Sequence, residues 1–168
     1  MQETAQQYIT RMLSYQEGMD PLKVQRETAK KIERLIKGVP KKKLMVRPEP
    51  SKWSAAEIIA HLADAELVGG FRMRLMLGEN GATIQAFDQD VWAEKFNYRK
   101  NDPKKSLEEF RALREKNLAL LKSIPASMWE NYGMHSERGK ETVDRTVRMF
   151  AGHDINHLRQ IEKIVKKK

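Results

Sequence analysis

The chain has 168 residues, of which 40% are hydrophobic and 33% are charged. This composition supports a buried core and excludes global disorder. The chain has no cysteine, which excludes a disulfide framework, a thiolate nucleophile and any cysteine-ligated zinc site. The net charge of +9 permits contact with nucleic acid or anionic lipid. Basic and acidic residues are interleaved, however, and a solvated surface is the simpler interpretation.

One domain is expected over residues 1–168, because a chain of this length seldom holds two. We expect a leading helix within residues 1–19, a bundle over residues 20–165 and a basic tail over residues 166–168. No long apolar run occurs, and no basic stretch followed by an apolar one opens the chain. The sequence therefore predicts neither a membrane span nor a signal peptide, and a cytoplasmic location is the default expectation.

Helices are expected to carry the fold, because the sequence has few of the alternating runs that are typical of strands. Residues 3–17 have apolar side chains at three- and four-residue spacing and predict a short leading helix that ends at Gly18. At Asp20-Pro21, an N-cap residue is followed by proline at the first helical position. The second helix is therefore predicted to begin there and to end before Gly38.

A crossing loop over residues 41–53 leads to a strong helix start. Ser54 and Glu57 have the spacing of a capping box, in which each side chain bonds the other residue's backbone N–H. Apolar side chains then follow helical spacing to about Leu77. Residues 78–103 are aromatic and irregular, and a connection of this length is usually functional.

Two further long helices complete the pattern. One, which Ser106 could cap, ends near Pro125, and the last runs from about Thr142 to Val165. Four long helices in one domain favour an all-α fold, a four-helix bundle. The bundle would have a short extra helix at its N-terminus and a long connection between its second and third helices.

The four histidines are the most informative polar residues of the chain. His153 and His157 lie four residues apart on the last helix, so both imidazoles can face one point. His61 lies on the apolar stripe of an earlier helix and can complete a cluster of three in a bundle. His135 lies in a polar loop, and an ordinary structural role is favoured for it. For the other three, the alternative is that they are hydrogen-bonded side chains at helix interfaces.

Three imidazoles would hold a divalent metal and leave one coordination position open, as in catalytic rather than structural zinc sites. A metal held in this way can lower the pKa of water to about 7, activate a thiol or polarise a carbonyl. Zinc, nickel and iron(II) all accept imidazole, so the ligands alone select none of them. Asp154, Asn156 and Gln160 lie near the histidine pair in sequence and could orient the rings, with Asp154 as the favoured candidate.

Three segments of the sequence resemble the DinB-like superfamily of metal-dependent enzymes, which also contains the bacillithiol transferases. Residues 50–66 read PSKWSAAEIIAHLADAE, residues 87–92 read FDQDVW, and residues 151–161 read AGHDINHLRQI. The resemblance extends from Asp20, at the start of the first long helix, to Lys163, and so covers nearly the whole chain.

The resemblance implies a four-helix bundle in which His61, His153 and His157 bind a divalent metal, with nickel or zinc as the first choices. Iron is a further option because it also accepts imidazole. It also implies a homodimer, and it places the segment around Asp88 beside the open side of the metal. Asp88 could be a base or an acceptor that orients a ring, or it could simply cap a turn. Asp88 and Asp154 are thus the two candidates for a catalytic role.

The predicted function is that of a metal-dependent enzyme acting on a small-molecule substrate. It would be either a hydrolase that activates water or a transferase that activates a low-molecular-weight thiol. The alternative is a non-catalytic stress-response protein that binds a metal or ligand at the same histidines. No specific nucleic acid is expected as a partner, because the bundle supplies no recognition helix or stacking sheet, and no membrane is expected as a partner either.

Overall fold

The computed structural model describes residues 3–167. Met1 and Gln2 of the predicted leading segment, and Lys168 of the predicted basic tail, lie outside the described residues. Within the described range, no helix combines the length and the apolar character needed to cross a bilayer.

Four long helices form the bundle, and each begins at a side-chain cap. The helices and strands, in chain order, are α1 (Ala5–Gln16), α2 (Pro21–Ile36), α3 (Lys41–Leu44), α4 (Ala55–Gly78), β1 (Ala82–Ile84), α5 (Gln89–Lys95), α6 (Pro103–Ser123), β2 (Tyr132–His135), β3 (Gly139–Thr142) and α7 (Val143–Lys166). Short 3-10 helices lie at Tyr98–Lys100 and Ala126–Glu130. The predicted all-α bundle is confirmed, with its extra N-terminal helix and its long connection between α4 and α6.

Two of the predicted helix starts lie where the cap signals placed them. The side chain of Asp20 accepts hydrogen bonds from the backbone N–H groups of Leu22 and Lys23, at 2.9 and 3.2 Å. Ser54 and Glu57 form the predicted capping box at the start of α4. Short polar side chains that satisfy the first N–H groups of a helix therefore determine where these two bundle helices begin.

The start of α6 differs from the prediction. Ser106 is not its N-cap, because the carboxylate of Asp102 accepts the N–H groups of Lys104 and Lys105, and Pro103 is the first helical residue. The predicted loop over residues 41–53 also contains the short helix α3. Both differences are local and leave the order of the four bundle helices unchanged.

The four bundle helices enclose one apolar core. Helix α4 packs against α6 and α7, α2 packs against the same two helices, and α1 lies along α7. The centre of the core consists of fully buried side chains from all four helices, among them Ile32, Ile59, Phe110 and Ile161. This packing sets α4 face to face with α7.

A small three-stranded sheet, which the sequence analysis did not predict, lies within the connections. Strand β1 pairs with β2 in parallel, and β2 pairs with β3 as an antiparallel hairpin. Ile84 is the register partner of His135, and the N–H of Ala86 donates to the hydroxyl of Ser136 at 3.1 Å. The sheet thereby fixes the segment that follows β1 beside the end of β2.

Candidate metal centre

Three imidazole rings meet between α4 and α7. Nε2 of His153 lies 3.0 Å from Nε2 of His61 and 3.1 Å from Nε2 of His157. Possible ligand atoms of the three residues all lie within 4.8 Å of one another. The structure therefore brings together the three histidines that the helical spacing had singled out.

The local sequence explains how each ring reaches this point. The capping box at Ser54 starts α4, and His61 follows two turns later with only 2% of its surface exposed. The ring of Trp53, just before the helix, lies against that of His61 with centroids 4.9 Å apart. On α7, the four-residue step from His153 to His157 places both rings on one face. The cluster therefore depends on the packing of two helices and on no long loop.

Gln160 determines which nitrogen of His157 carries the hydrogen. Nδ1 of His157 lies 2.9 Å from Oε1 of Gln160, and an amide oxygen can only accept a hydrogen bond. Nδ1 is therefore the protonated nitrogen, and Nε2 presents its lone pair toward His153. This tautomer is the one that a metal ligand needs.

Burial keeps the three imidazoles neutral at pH 7. It lowers the pKa of His61 well below its ordinary value, and His157 lowers it further. The pKa of His153 is likewise well below its ordinary value, through burial and through the neighbouring histidines. Burial lowers the pKa of His157 to about 4, although the bond to Gln160 opposes the shift. Neutral imidazoles are the form that binds metal ions.

The donor set fits a divalent metal. Two nitrogens bound to one ion at about 2.0–2.1 Å in a tetrahedral arrangement lie about 3.3–3.4 Å apart. The two Nε2 separations, 3.0 and 3.1 Å, are within about 0.4 Å of that spacing. Because Nε2 of His153 carries at most one hydrogen, it cannot donate to both neighbours. A shared cation would therefore satisfy lone pairs that hydrogen bonds among the rings cannot all satisfy.

Asp154 was predicted as the favoured residue for orienting the rings, but its carboxylate faces a different set of partners. Oδ2 accepts hydrogen bonds from Nη1 of Arg114 at 2.6 Å and from the hydroxyl of Thr28 at 2.9 Å. The side-chain bond to a ring of the cluster is made instead by Gln160, one of the other two candidates, to His157. A catalytic role for Asp154 stays a prediction.

Asp88 is the N-cap of α5. Its Oδ1 accepts the backbone N–H groups of Asp90 and Val91, at 2.9 and 3.0 Å, so the capping alternative is confirmed. The segment around Asp88 also lines the same cavity as His61 and His153, as the resemblance implied. A role for Asp88 as a base or a ring-orienting acceptor stays a prediction.

A cavity of about 430 Å³ opens onto the cluster. His61 and His153 line it, and its other walls come from the start of α1, from the segment before α5 and from the β2–β3 hairpin. A volume of this size is typical of sites for small molecules. The histidine cluster therefore has room beside it for a small molecule.

Sequence reasoning missed two further residues of this cavity. Arg72 was given no role, and His135 was assigned to a loop with a structural role. In the structure His135 lies on β2, and both residues are buried and line the cavity. For Arg72, one signal was available in the sequence. The residue lies eleven residues after His61, about three helical turns, which places both residues on the same face of the helix.

The protein is thus a mainly helical bundle in which three histidines from two of its helices, α4 and α7, come together. The sequence matches the model of the DinB superfamily over residues 26–161, and the chain belongs to this family. The resemblance drawn from the histidine segments is thereby confirmed.

Curated relatives are similar over about two thirds of their own length. "Putative metal-dependent hydrolase OB0782" of Oceanobacillus iheyensis is 29% identical over 117 residues, which are 69% of this chain and 67% of that protein. A protein with the same descriptive name, BH0277 of Halalkalibacterium halodurans, is 24% identical over 67% of this chain and 65% of its own. YfiT of Bacillus subtilis is 25% identical over 67% of this chain and 64% of its own.

A solved structure supports the fold. The structure of YfiT from Bacillus subtilis, described as having an unusual four-helix bundle topology, superimposes with a TM-score of 0.80. The match covers 86% of this chain and 83% of that one, at 21% sequence identity. At this identity, the likeness shows that the two chains share a fold.

Proposed function

We propose that this protein binds a divalent metal through His61, His153 and His157 and acts as a metal-dependent enzyme on a small molecule. The relatives' names, which describe putative metal-dependent hydrolases, support metal dependence. Nickel and zinc are the first choices and iron is a further one, because each accepts imidazole ligands. The reaction is either hydrolysis or the transfer of a low-molecular-weight thiol.

The observation that carries this proposal is the position of the cluster at a cavity wall. Two of the three rings, His61 and His153, line a space of about 430 Å³, and the Nε2 atoms of all three residues approach one another. Imidazoles that were buried only to fill the core would not be expected to converge at the wall of a cavity. Three protein ligands with an accessible side are the arrangement of catalytic metal sites.

The residues of the chain prepare the site for this chemistry. A divalent metal, when bound, supplies a Lewis acid that lowers the pKa of a water molecule or a thiol. Gln160 holds the ring of His157 in the ligand tautomer through its amide oxygen. The ring of Phe87 lines the cavity just before α5 and packs against the ring of Trp92 on α5, with centroids 4.7 Å apart. Phe87 thereby gives the cavity an apolar wall beside the histidine cluster.

A turnover screen tests the proposal and separates its two reactions. Protein loaded with nickel or zinc is given esters and amides in one arm, and an epoxide and a halo-aromatic compound, with and without small thiols, in the other. We expect turnover in one arm, and we expect His153→Ala to remove it because the variant loses a metal ligand. Arg111→Met, an exposed change on α6, should keep the native rate.

Two outcomes would contradict the proposal. Turnover that persists unchanged in His153→Ala would show that the cluster takes no part in the reaction. Stoichiometric metal binding without turnover in either arm would instead favour the non-catalytic alternative, a protein that stores or senses a ligand at the same histidines.

A further inference from the structure

Arg72 is a buried cation without a carboxylate partner. Only 7% of its surface is exposed, and no Asp or Glu among residues 3–167 lies within ion-pair distance of its guanidinium. One nitrogen donates to the backbone carbonyl of Gln85, and the guanidinium lies over the ring of Phe87 at 5.5 Å. Burial lowers the pKa of Arg72 to about 10, so the group is still charged at pH 7.

Such a group is unusual, because buried charges in proteins are normally paired. Arg114 is the comparison within this chain, since its more deeply buried guanidinium contacts two carboxylates, those of Glu66 and Asp154. Arg72 instead lines the cavity that also holds His61 and His153. Its unused N–H groups are therefore available to something that enters the cavity.

The geometry of α4 connects Arg72 to the histidine cluster. His61, Ala65, Val68 and Arg72 follow one another at steps of four, three and four residues, which place them on one helical face, and all four line the cavity. The Cα atoms at the two ends are separated by about 16 Å along the helix axis. Ala65 and Val68 therefore lie between Arg72 and His61 along this face of the helix.

His135 is 3% exposed and lines the same cavity as Arg72. Its Nδ1 accepts the backbone N–H of Glu137 at 3.2 Å, so the hydrogen of the neutral ring resides on Nε2. That Nε2 is buried and has no hydrogen-bond partner among the described residues. Because this nitrogen is closed off from the cavity, a ligand that enters the cavity meets the guanidinium of Arg72 and not the Nε2–H of His135.

We infer that the Arg72 end of the cavity binds the carboxylate of a small molecule, whose apolar stem lies along Ala65 and Val68 and whose reacting group reaches the histidine cluster. The planar guanidinium matches a carboxylate through paired N–H donors. The inference rests on the proposed function only for the reacting end of the molecule. Binding at the Arg72 end requires no metal.

The other charges of the cavity favour a carboxylate over a phosphate group. Glu3, Asp88, Asp90 and Glu137 also line it, and their negative charges oppose a dianion more than a monoanion. The second arginine of the wall, Arg138, is already engaged with both carboxylate oxygens of Glu141, at 2.7 and 2.8 Å. One guanidinium without a carboxylate partner, that of Arg72, therefore remains for the ligand, and it matches a single negative charge.

Binding of hexanoate and hexanamide to the full chain in EDTA tests the inference without any metal. The two probes have the same size and the same apolar stem, and they differ in charge. By calorimetric titration we expect hexanoate to bind about tenfold or more tightly than hexanamide, the effect of one charge-assisted hydrogen-bonded pair. Hexylphosphonate, compared with hexanoate at about pH 9 so that it is a dianion, should bind more weakly than hexanoate.

Substitutions at Arg72 assign the preference to its guanidinium. Arg72→Met keeps much of the side-chain volume and should bind the two probes equally. If Arg72→Met does not fold, Arg72→Lys replaces it, and the loss of the planar fork should reduce the preference at least about threefold. Arg111→Met removes the same charge from an exposed site, where Arg111 pairs with Glu33, and should keep the native preference.

Equal binding of hexanoate and hexanamide by the native chain would overturn the inference, as would a full preference in the Arg72 variants. Tighter binding of hexylphosphonate would overturn the choice of carboxylate. A failure of the histidines to bind metal would leave this result untouched, because the titration contains EDTA. Metal-dependent turnover without any preference for carboxylates would contradict carboxylate binding at Arg72 and would leave the proposed function intact.

Discussion

At the scale of single residues, burial sets the charge of the histidines. It is the largest cause that lowers the pKa of both His135 and His157 to about 4, whereas a histidine in an unfolded chain titrates near 6.5. Between these pH values the unfolded chain binds more protons than the folded one. The free energy of unfolding is therefore highest above about pH 6.5, and it decreases as the pH falls toward 4.

The first prediction concerns the pH dependence of stability. In EDTA, the free energy of unfolding should decrease as the pH is lowered from 7 to 5, by up to about 1.4 kcal/mol per pH unit for each such histidine. Urea denaturation at several pH values measures this slope, in a range above the ordinary pKa of carboxylates. His135→Gln should show a shallower slope because it lacks one proton-binding group. An equally steep slope in the variant would contradict the role of burial at His135.

At the scale of helices, one close approach ties α1 to α7. A Cβ atom added to Gly152 would lie 1.8 Å from the carbonyl oxygen of Met12, so no larger residue fits unless the backbone moves. Helix α1 and its cap also supply Thr4 and Tyr8 to the cavity wall. Gly152 therefore sets the position of one wall of the candidate site.

The second prediction is that Gly152→Ala destabilises the protein. Alanine is the better helix former by about 1 kcal/mol, but displacement of α1 should cost about 1–3 kcal/mol and outweigh that gain. Gly78→Ala is the matched control, because a Cβ there meets no atom within 4 Å, and it should be neutral or slightly stabilising. Urea denaturation of both variants compares them, and equal stabilities would contradict the close packing of α1 on α7.

The helices could be predicted because their start signals are local. Asp20-Pro21 and the capping box at Ser54 act within one turn, and the apolar spacing that follows needs no knowledge of the rest of the chain. The same aspartate–proline signal stands at Asp102-Pro103, where the prediction chose Ser106 instead. The prediction chose a serine inside the first turn and overlooked the aspartate–proline signal that also marks the start of α2.

The sheet could not be predicted because its strands are stable only together. Strand β2 has four residues and pairs with β1, about fifty positions earlier in the chain, and with β3. No local pattern in Tyr132–His135 indicates either partner. The pairing is what carries His135 and the segment after Ile84 to the cavity, so this half of the candidate site lay beyond a local analysis. The histidine cluster could be predicted because helical spacing and the packing of a bundle together bring the rings close.

At the scale of the whole molecule, a buried ion cluster joins all four bundle helices. Arg114 of α6 contacts Glu66 of α4 at 2.8 Å and Asp154 of α7 at 2.6 Å, and Thr28 of α2 donates to Asp154. Burial lowers the pKa of Arg114, but the charges of the two carboxylates outweigh burial, and the pKa is raised. The cluster holds α7 in the position that brings His153 and His157 to His61.

The third prediction is that Arg114→Met destabilises the protein by about 3–5 kcal/mol, because it leaves two carboxylates buried without their cation. Arg111→Met, also on α6, removes an exposed pair with Glu33 and should cost about 0–1 kcal/mol. Urea denaturation of the two variants measures the difference. A loss at Arg114 no larger than the loss at Arg111 would contradict the structural role of the cluster.

The homodimer implied by the resemblance stays a prediction. The chain has a mass of 19.6 kDa, so sedimentation of the untagged protein distinguishes one copy from two. We expect twice the mass of a single chain over the micromolar range, and a single-chain mass throughout that range would contradict it.

The metal content of the purified protein tests the central claim most directly. Protein made without a histidine tag is analysed by elemental mass spectrometry beside His61→Ala and beside His135→Ala, whose histidine lies outside the cluster. We predict about one nickel or zinc ion per chain in the native protein and in His135→Ala, and a loss of most of that metal in His61→Ala. Equal metal content in the native protein and His61→Ala would contradict a metal centre built from the three histidines.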